Sequence, residues 1–366
     1  MARVAAQGHP FERHGEIRSK LSGMIRSGSK PPGSRLPTRL ELAAEFRTSP
    51  VTIQKALVQL VADGFVKVRG RAGTFVAERP PHLYRFGLVI STPGPMGFVR
   101  ALVEQTDVLR RTRHWQFPIY SNATGSTDSV NYRNMVDDLR YHRLAGLILT
   151  QPPSYYLDTP LFTERDLPRV AIVDHHQVPG VGCVRLDSQM FVDKALDYLK
   201  ARGRRRVALV ATPNFSSGFV DVLTDGTASR GLTIRPGWSQ ALDHRSQHWA
   251  PHVVAALLNS PVNARPDGMI IADDHLVESV TNVLHRRCRP TELDVVAHCN
   301  FPKLPTAAWP VNWLGYDVRQ VLEVAVTYIQ QSLTGFTPEP VTIVPAQFAS
   351  ELSNSVRPQM TTKLVA

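Results

Sequence analysis

Cysteine is scarce in this chain: Cys183, Cys288 and Cys299 are the only three. An odd, widely spaced set excludes a disulfide framework and suits a reducing, cytoplasmic compartment. Nowhere do about 18 apolar residues follow one another, so no membrane-spanning helix is expected. The opening residues, MARVAAQGHPFERHGEIRSK, hold no apolar run of signal-peptide length. Gly-x-Ser-x-Gly, Walker A and His-Glu-x-x-His patterns are all missing, so nothing marks a catalytic nucleophile, a nucleotide loop or a zinc helix. His175-His176 and His298-Cys299 are adjacent pairs, which a strand would point to opposite faces. No metal, no cofactor and no enzymatic activity are therefore expected.

Acidic residues are also in short supply. The chain has 31 Asp/Glu against 42 Lys/Arg, a net charge of +11 over 366 residues. The excess is local: residues 1–79 hold 14 basic against 6 acidic residues, and the rest of the chain 28 against 25. Such asymmetry points to a nucleic-acid-binding segment at the N-terminus. The 43% of hydrophobic residues is enough for sizeable cores, and the length suits two or three domains.

The basic segment has helical punctuation. Ile17, Leu21, Met24 and Ile25 form one stripe of a first helix, which Ser27-Gly28 ends. Thr38 and Glu41 have capping-box spacing for a second helix carrying Leu42 and Phe46. Ser49 suits an N-cap and Pro50 the first turn of a third, with Ile53, Ala56, Leu57, Leu60 and Val61 inward and Gly64 at its end. Two β-type runs, Phe65–Arg69 and Thr74–Ala77, flank the tip Gly70-Arg71-Ala72-Gly73. Three helices and a basic hairpin make a winged helix whose third helix fits a major groove. Its outward residues are Thr52, Lys55 and Gln59, with Gln54 at the boundary. Gln can pair with adenine, Thr can meet a thymine methyl, and Lys can reach guanine or phosphate. Arg69 and Arg71 would reach a phosphate or the minor groove.

Three separated motifs carry a resemblance. Pro32-Gly33-Ser34-Arg35-Leu36-Pro37-Thr38, the helix Thr48–Leu60 and the wing Ala72-Gly73-Thr74-Phe75-Val76 resemble the GntR-type winged-helix repressors. The resemblance covers roughly residues 11–77. It implies DNA contact by Arg35, base readout from Thr52 and Gln54, and a DNA-facing set that also includes Thr38, Ser49, Lys55, Arg69, Arg71 and Gly73. Two departures matter: Pro50 stands where many members carry Arg, and Gln54 where Arg is common, so the operator is expected to differ from the usual half-site.

Glu78-Arg79-Pro80-Pro81-His82-Leu83-Tyr84 reads as an extended, semi-rigid spacer, with residues 80–85 as the linker. Beyond it, apolar runs recur: Phe86–Ile90, Phe117–Tyr120, Gly146–Leu149, Val170–Val173, Val207–Val210, Gly268–Ile271 and Asp294–Ala297. Helical patterns alternate with them, as at Phe98–Leu109, Tyr132–Leu144, Phe191–Leu199, Val253–Leu258 and Val277–Leu284. This predicts an α/β fold with doubly wound parallel sheets, two of them side by side. Ligands of such folds sit beyond the carboxyl ends of strands, where this chain is polar. The basic run Arg202–Arg206 reads as a solvated turn rather than a second DNA contact. Residues 357–366 read as a poorly ordered tail.

Most of residues 85–350 resemble the ligand-binding domain of LacI/GalR-type regulators, which is similar to periplasmic sugar-binding proteins, and an effector-binding and dimerisation domain is expected over residues 86–356. Phe86-Gly87-Leu88-Val89-Ile90, Leu144–Leu149, Val184-Arg185-Leu186-Asp187 and Arg265–Asp274 carry that resemblance. A GntR-type head on such a body resembles the arabinose-repressor type of architecture. It implies a two-lobed, periplasmic-binding-protein-like domain, a small effector such as a sugar in the cleft, and a homodimer on pseudo-palindromic DNA that acts as a repressor; the alternatives are an activator, a regulator without effector, or an α/β enzyme tethered to DNA. The effector candidates are Thr92, Gln151, Asp174, Asp187, Phe215, Asp274 and Asn300. Asp187 could equally cap the helix that follows it, whereas for Asp274 ligand contact is favoured over capping. Here too there are departures. Phe215 stands where the family often has Arg, and Cys299 with Asn300 where it has an acid, while Trp309 and Trp313 offer faces for stacking or for the core.

Overall fold

The computed structural model describes residues 10–90, 97–121, 123, 129–162, 166–173, 178–213 and 217–354. They cluster into two compact units. The first takes the chain to Gly94, then Thr106–Val184 and Glu323–Val341. The second takes Pro95–Gln105, Arg185–Leu322 and Thr342–Ala366.

The first unit opens with a small helical head. Helix α1 (Pro10–Arg26) buries Ile17, Leu21 and Ile25. Helix α2 (Arg39–Glu45) starts at Thr38, whose hydroxyl accepts from the Glu41 amide while its own amide donates to the Glu41 carboxylate at 2.7 Å. Helix α3 (Pro50–Ala62) starts at Ser49, whose Oγ accepts from the Thr52 amide, and buries Ile53, Ala56, Leu57 and Leu60. Val61 is a correction: assigned inward by its spacing, it is 40% exposed. Gly64 has φ +84°, the left-handed conformation that ends α3. Strands β1 (Val66–Val68) and β2 (Thr74–Val76) pair antiparallel as the wing. The preceding segment adds to it, because the Gly33 and Leu36 amides donate to Val76 and Thr74 carbonyls. Phe65, Val66 and Val76 close the core of the head.

The spacer is not extended. Pro81–Leu83 form a 3-10 turn, and Pro81 and His82 are buried. Two prolines pre-set the backbone for a tight turn here, and the His82 ring stacks on Phe65.

The body contains two six-stranded sheets. In the first, β3 (Phe86–Ile90), β4 (Ile119–Ser121), β5 (Gly146–Leu149), β6 (Arg169–Ile172) and β7 (Val181–Leu186) are joined at one edge by residues 341–344, in the order 341–344, β7, β6, β5, β3, β4. Strands β3 to β7 run parallel. Helices α4 (Gly97–Arg113) and α5 (Val130–Arg140) lie between them in sequence. In the second sheet, helices α6 (Ser188–Ala201), α7 (Ser217–Ser229), α8 (Ala250–Leu258) and α9 (Val277–Arg287) alternate with β8 (Val207–Ala211), β9 (Ser239–Ala241), β10 (Gly268–Ile271), β11 (Asp294–Phe301) and β12 (Val311–Asp317). Helix α10 (Val318–Leu333) follows, then strands β13 (Val341–Val344) and β14 (Gln347–Phe348). The second order is β14, β12, β11, β10, β8, β9, parallel except for β14 on β12. Strands β3, β5, β8 and β10 are buried at every position, as sheets covered on both faces require. No helix among the described residues is long and apolar enough to cross a membrane.

Candidate functional site

The head presents α3 and the wing together. Gln54 and Lys55 are exposed on α3, and Arg71 is exposed at the wing tip. Arg35 pairs through its backbone with Phe75, and its guanidinium lies so close to Gly73 that an added Cβ would come within 3.1 Å of its Nε. Gly73 has φ +105°, so the wing turn and the close approach both call for glycine. Arg39 reaches the Gln54 side-chain oxygen at 3.4 Å.

Other residues of the DNA-facing set have a local partner. The Thr52 hydroxyl lies 2.8 Å from Ser49 Oγ. Arg69 lies over the Phe75 ring and pairs with Glu78 at 3.3 Å. Gln59, expected to face away from the core stripe, is half-buried and accepts from Arg18 at 3.4 Å. Arg18 is itself held by Asp63, which ties the end of α3 to α1.

In the second unit, strand ends converge on carboxylates. Asp273 follows β10 and caps the short turn Asp274–Leu276 by accepting from the His275 amide at 2.9 Å. The Thr212 hydroxyl, just after β8, donates to Asp273 at 3.1 Å. Burial raises the Asp273 pKa, but hydrogen bonds from the His275 ring and amide outweigh it and hold the carboxyl below its usual range. Asp274 is therefore not the cap that its sequence position allowed. Its Oδ2 accepts from Asn300 Nδ2 at 2.8 Å. Asn300 is only 2% exposed, and its Oδ1 has no partner among the described residues. Asp274, Asn300, His275, Gly97 and Lys303 line a cavity of about 190 Å3. A Cβ on Gly97 would overlap the Asp274 carboxylate. Lys303 and Arg100 share Glu104, at 2.9 and 3.1 Å.

Chemically, this wall is rich in acceptors. Asp273, Asp274 and His275 place three potential metal ligands within 4.8 Å of one another. Their atoms serve each other and the backbone: His275 Nδ1 faces Asp273 at 2.9 Å, and its Nε2 accepts from the Gly97 amide at 2.7 Å. That hydrogen-bond pattern suits a neutral imidazole. Burial pushes the Cys299 thiol up, and desolvation lowers the His298 imidazole. Both shifts oppose a thiolate–imidazolium pair.

The remaining effector candidates separate. Asp187 is a cap: its carboxylate accepts from the Met190 amide at 2.9 Å at the start of α6. Gln151, in the first unit, accepts from the Tyr156 hydroxyl at 3.0 Å. Thr92, Asp174 and Phe215 lie outside the described residues, as do His175 and His176. Trp309 is buried in the second unit's core, and Trp313 packs against it. Arg204 and Arg206 are ion-paired to Asp294 and Asp267 at 2.6 and 3.0 Å, so the basic run pins a turn. His275, Gly97 and Lys303 were not singled out in the sequence. Only the run Asp273-Asp274-His275 offered a signal there.

The family pattern described as bacterial regulatory proteins, gntR family, matches residues 14–76. An HTH-type transcriptional regulator of Mycobacterium tuberculosis is 30% identical over 100 residues, which cover 27% of this chain and 81% of the relative. The chain belongs to the gntR family of bacterial regulatory proteins. This gntR-family regulator is also similar, at 21% identity over 332 residues, to the arabinose metabolism transcriptional repressor of Geobacillus stearothermophilus. That alignment covers 84% of this chain and 89% of the relative. Among solved structures, a regulatory protein of LacI family from Chloroflexus aggregans has a TM-score of 0.56 at 16% identity, over 72% of this chain and 96% of the other. A LacI family regulator from Lactobacillus casei with bound glucose has 0.54 at 17%, over 72% and 97%. The body therefore has the fold of LacI-family regulators.

Proposed function

We propose that this gntR-family regulator is a repressor that binds a pseudo-palindromic operator as a homodimer and is controlled by a small effector, a sugar or a related metabolite. Residues 1–79 bind DNA, 80–85 join the parts, and 86–356 bind effector and dimerise. The observation that carries this reading is the capped helix α3, which presents Gln54 and Lys55 outward beside a basic wing. One such head reads too few base edges for high specificity, hence the dimer. The DNA contacts are assigned to Arg35, Thr38, Ser49, Thr52, Gln54, Lys55, Arg69, Arg71 and Gly73.

The effector reading rests on the acceptor-rich wall of Asp274 and Asn300, which suits vicinal hydroxyls. Thr92, Gln151, Asp174 and Phe215 complete the assigned set, with Asp187 assigned instead to the cap of α6. The similar proteins are named for arabinose metabolism and solved with glucose. No catalytic step is assigned to the chain.

The test has two stages. DNA selected from random duplexes by the full chain should yield a pseudo-palindrome, and fluorescence anisotropy on that site should give two protomers per duplex. Sugars and related metabolites are then screened for release. A selection that returns no symmetric site would sink the dimeric operator reading.

A further inference from the structure

The first unit holds an unusual chain of ion pairs outside both candidate sites. Asp63, the C-cap of α3, has a carboxylate that is only 6% exposed. Arg18 of α1 grips it twofold, at 2.7 Å to each oxygen. Arg143, from the turn after α5, reaches the same carboxylate at 3.1 Å. The Arg143 Nε then meets Asp138 of α5 at 2.6 Å. Asp138 is buried and also accepts from the Tyr120 hydroxyl of β4 and from Arg85. Arg18 further stacks on the Tyr141 ring, 3.6 Å from its centroid, and Ser19 donates to the Arg140 carbonyl at 2.8 Å.

The geometry of the turn supports this contact. His142 has φ +54°, and the Arg143 amide donates to the Asp138 carbonyl, so α5 ends in a Schellman-type turn. That turn presents Tyr141 and Arg143 to the head. On the other side, α1 has glycine at both places of close approach. A Cβ on Gly15 would come within 3.2 Å of the Tyr141 hydroxyl, and one on Gly23 within 3.4 Å of the His142 ring. The linker adds the buried His82 ring against Phe65.

We propose that the DNA-binding head is docked on the first sheet's lobe through the relay Asp63–Arg143–Asp138, so that helix α5 links the β4 strand end to the recognition helix. A half-buried network in which three arginines surround two aspartates holds only one arrangement well, because removing a partner strands another charge away from water. Helix α5 spans 11 residues, about 16 Å. Its far end is tied to β4 by Asn131, which donates to Ser121 Oγ at 2.8 Å. A displacement of that strand end reaches α3 as a movement of one rigid helix rather than through a slack tether. The inference uses the proposed function only in taking α3 as the DNA-contacting helix.

The test is hydrogen–deuterium exchange on the full chain without DNA, in wild type, Asp63→Ala, Arg143→Gln and Arg143→Lys. In wild type, the amides of Leu83, Tyr84 and Arg85 should exchange at least 100-fold more slowly than in a free peptide. Asp63→Ala and Arg143→Gln should each accelerate that segment at least tenfold, with the amides of α3 and β5 unchanged, and Arg143→Lys should recover part of the loss. Should Arg143→Gln also open β5, Asp63→Ala decides, because it leaves Asp138 with Arg85, Arg143 and Tyr120. Free-peptide exchange in wild type, or no acceleration in Asp63→Ala, overturns the docking. Failure to find an operator, with docking intact, would count against the proposed function alone.

Discussion

His82 stacks on Phe65 with ring centroids 6.0 Å apart and planes inclined by 16°. Burial, and to a lesser extent Arg26 and His142, lower the His82 pKa to about 4. The folded protein therefore keeps this ring neutral while an unfolded chain would protonate it near 6.5. The unfolded state binds more protons between those values, so stability rises with pH across that window. The contribution is complete above about pH 6.5 and fades as pH falls towards 4, by about 3 kcal/mol in all. Urea denaturation at several pH values should show this slope, and His82→Phe should flatten it. An unchanged slope in the variant would assign the effect to other groups.

Capping and base contact can be separated on α3. Ser49→Ala removes the acceptor for the Thr52 amide and should cost about 0.5–2 kcal/mol of stability. Gln54 is exposed, so Gln54→Ala should leave the melting temperature within about a degree while relaxing sequence preference. Calorimetry and competition binding read the two outcomes.

Operator binding should weaken steeply with salt, with a slope of about −0.9 per phosphate neutralised. Arg71→Ala should reduce that slope by about one unit and weaken all sequences alike. Arg69 is already paired with Glu78, so Glu78→Gln should strengthen DNA binding at low salt. A titration between low and moderate salt that stays flat would contradict a phosphate-contacting head.

The two aspartates of the effector set should behave differently. Asp187→Ala loses the cap of α6 and should melt earlier, with effector-induced release intact. Asp274→Asn should melt almost normally and lose the response. Gly97→Ala should mimic it, because the new methyl displaces the Asp274 carboxylate. Early melting with normal release in Asp274→Asn would remove that residue from the site.

Local signals were the most legible. The capping box of α2, the Ser49 cap and stripe of α3 and the wing follow from neighbours a few residues apart, and the alternation of apolar runs with helical patterns announced doubly wound sheets. Strand β12 escaped notice because Val311–Asp317 carries Asn312, Trp313 and Gly315 rather than an apolar run. Its pairing with β11, with Gly315 opposite Cys299, comes from the tertiary fold. Helix α7 is hidden by Gly226 in its interior, a glycine that only the tertiary fold explains: an added Cβ would come within 2.9 Å of the Leu196 side chain.

The sequence by itself determined where the three helices of the head begin, most of the face that α3 buries, the alternation of apolar runs with helical patterns in the body, and that the basic charge gathers at one end. Those properties depend on backbone geometry and on periods of 2 and 3.6 residues, so a short window contains them. Only the tertiary structure decided that Asp273 rather than Asp274 is the cap, that Asn300 turns to Asp274, and that Asp63 shares its carboxylate between Arg18 and Arg143. The last of these partners are 45 and 80 residues from Asp63. A charged side chain can be satisfied by any opposite charge that the fold brings within reach, and its own sequence neighbourhood carries no record of which one that is.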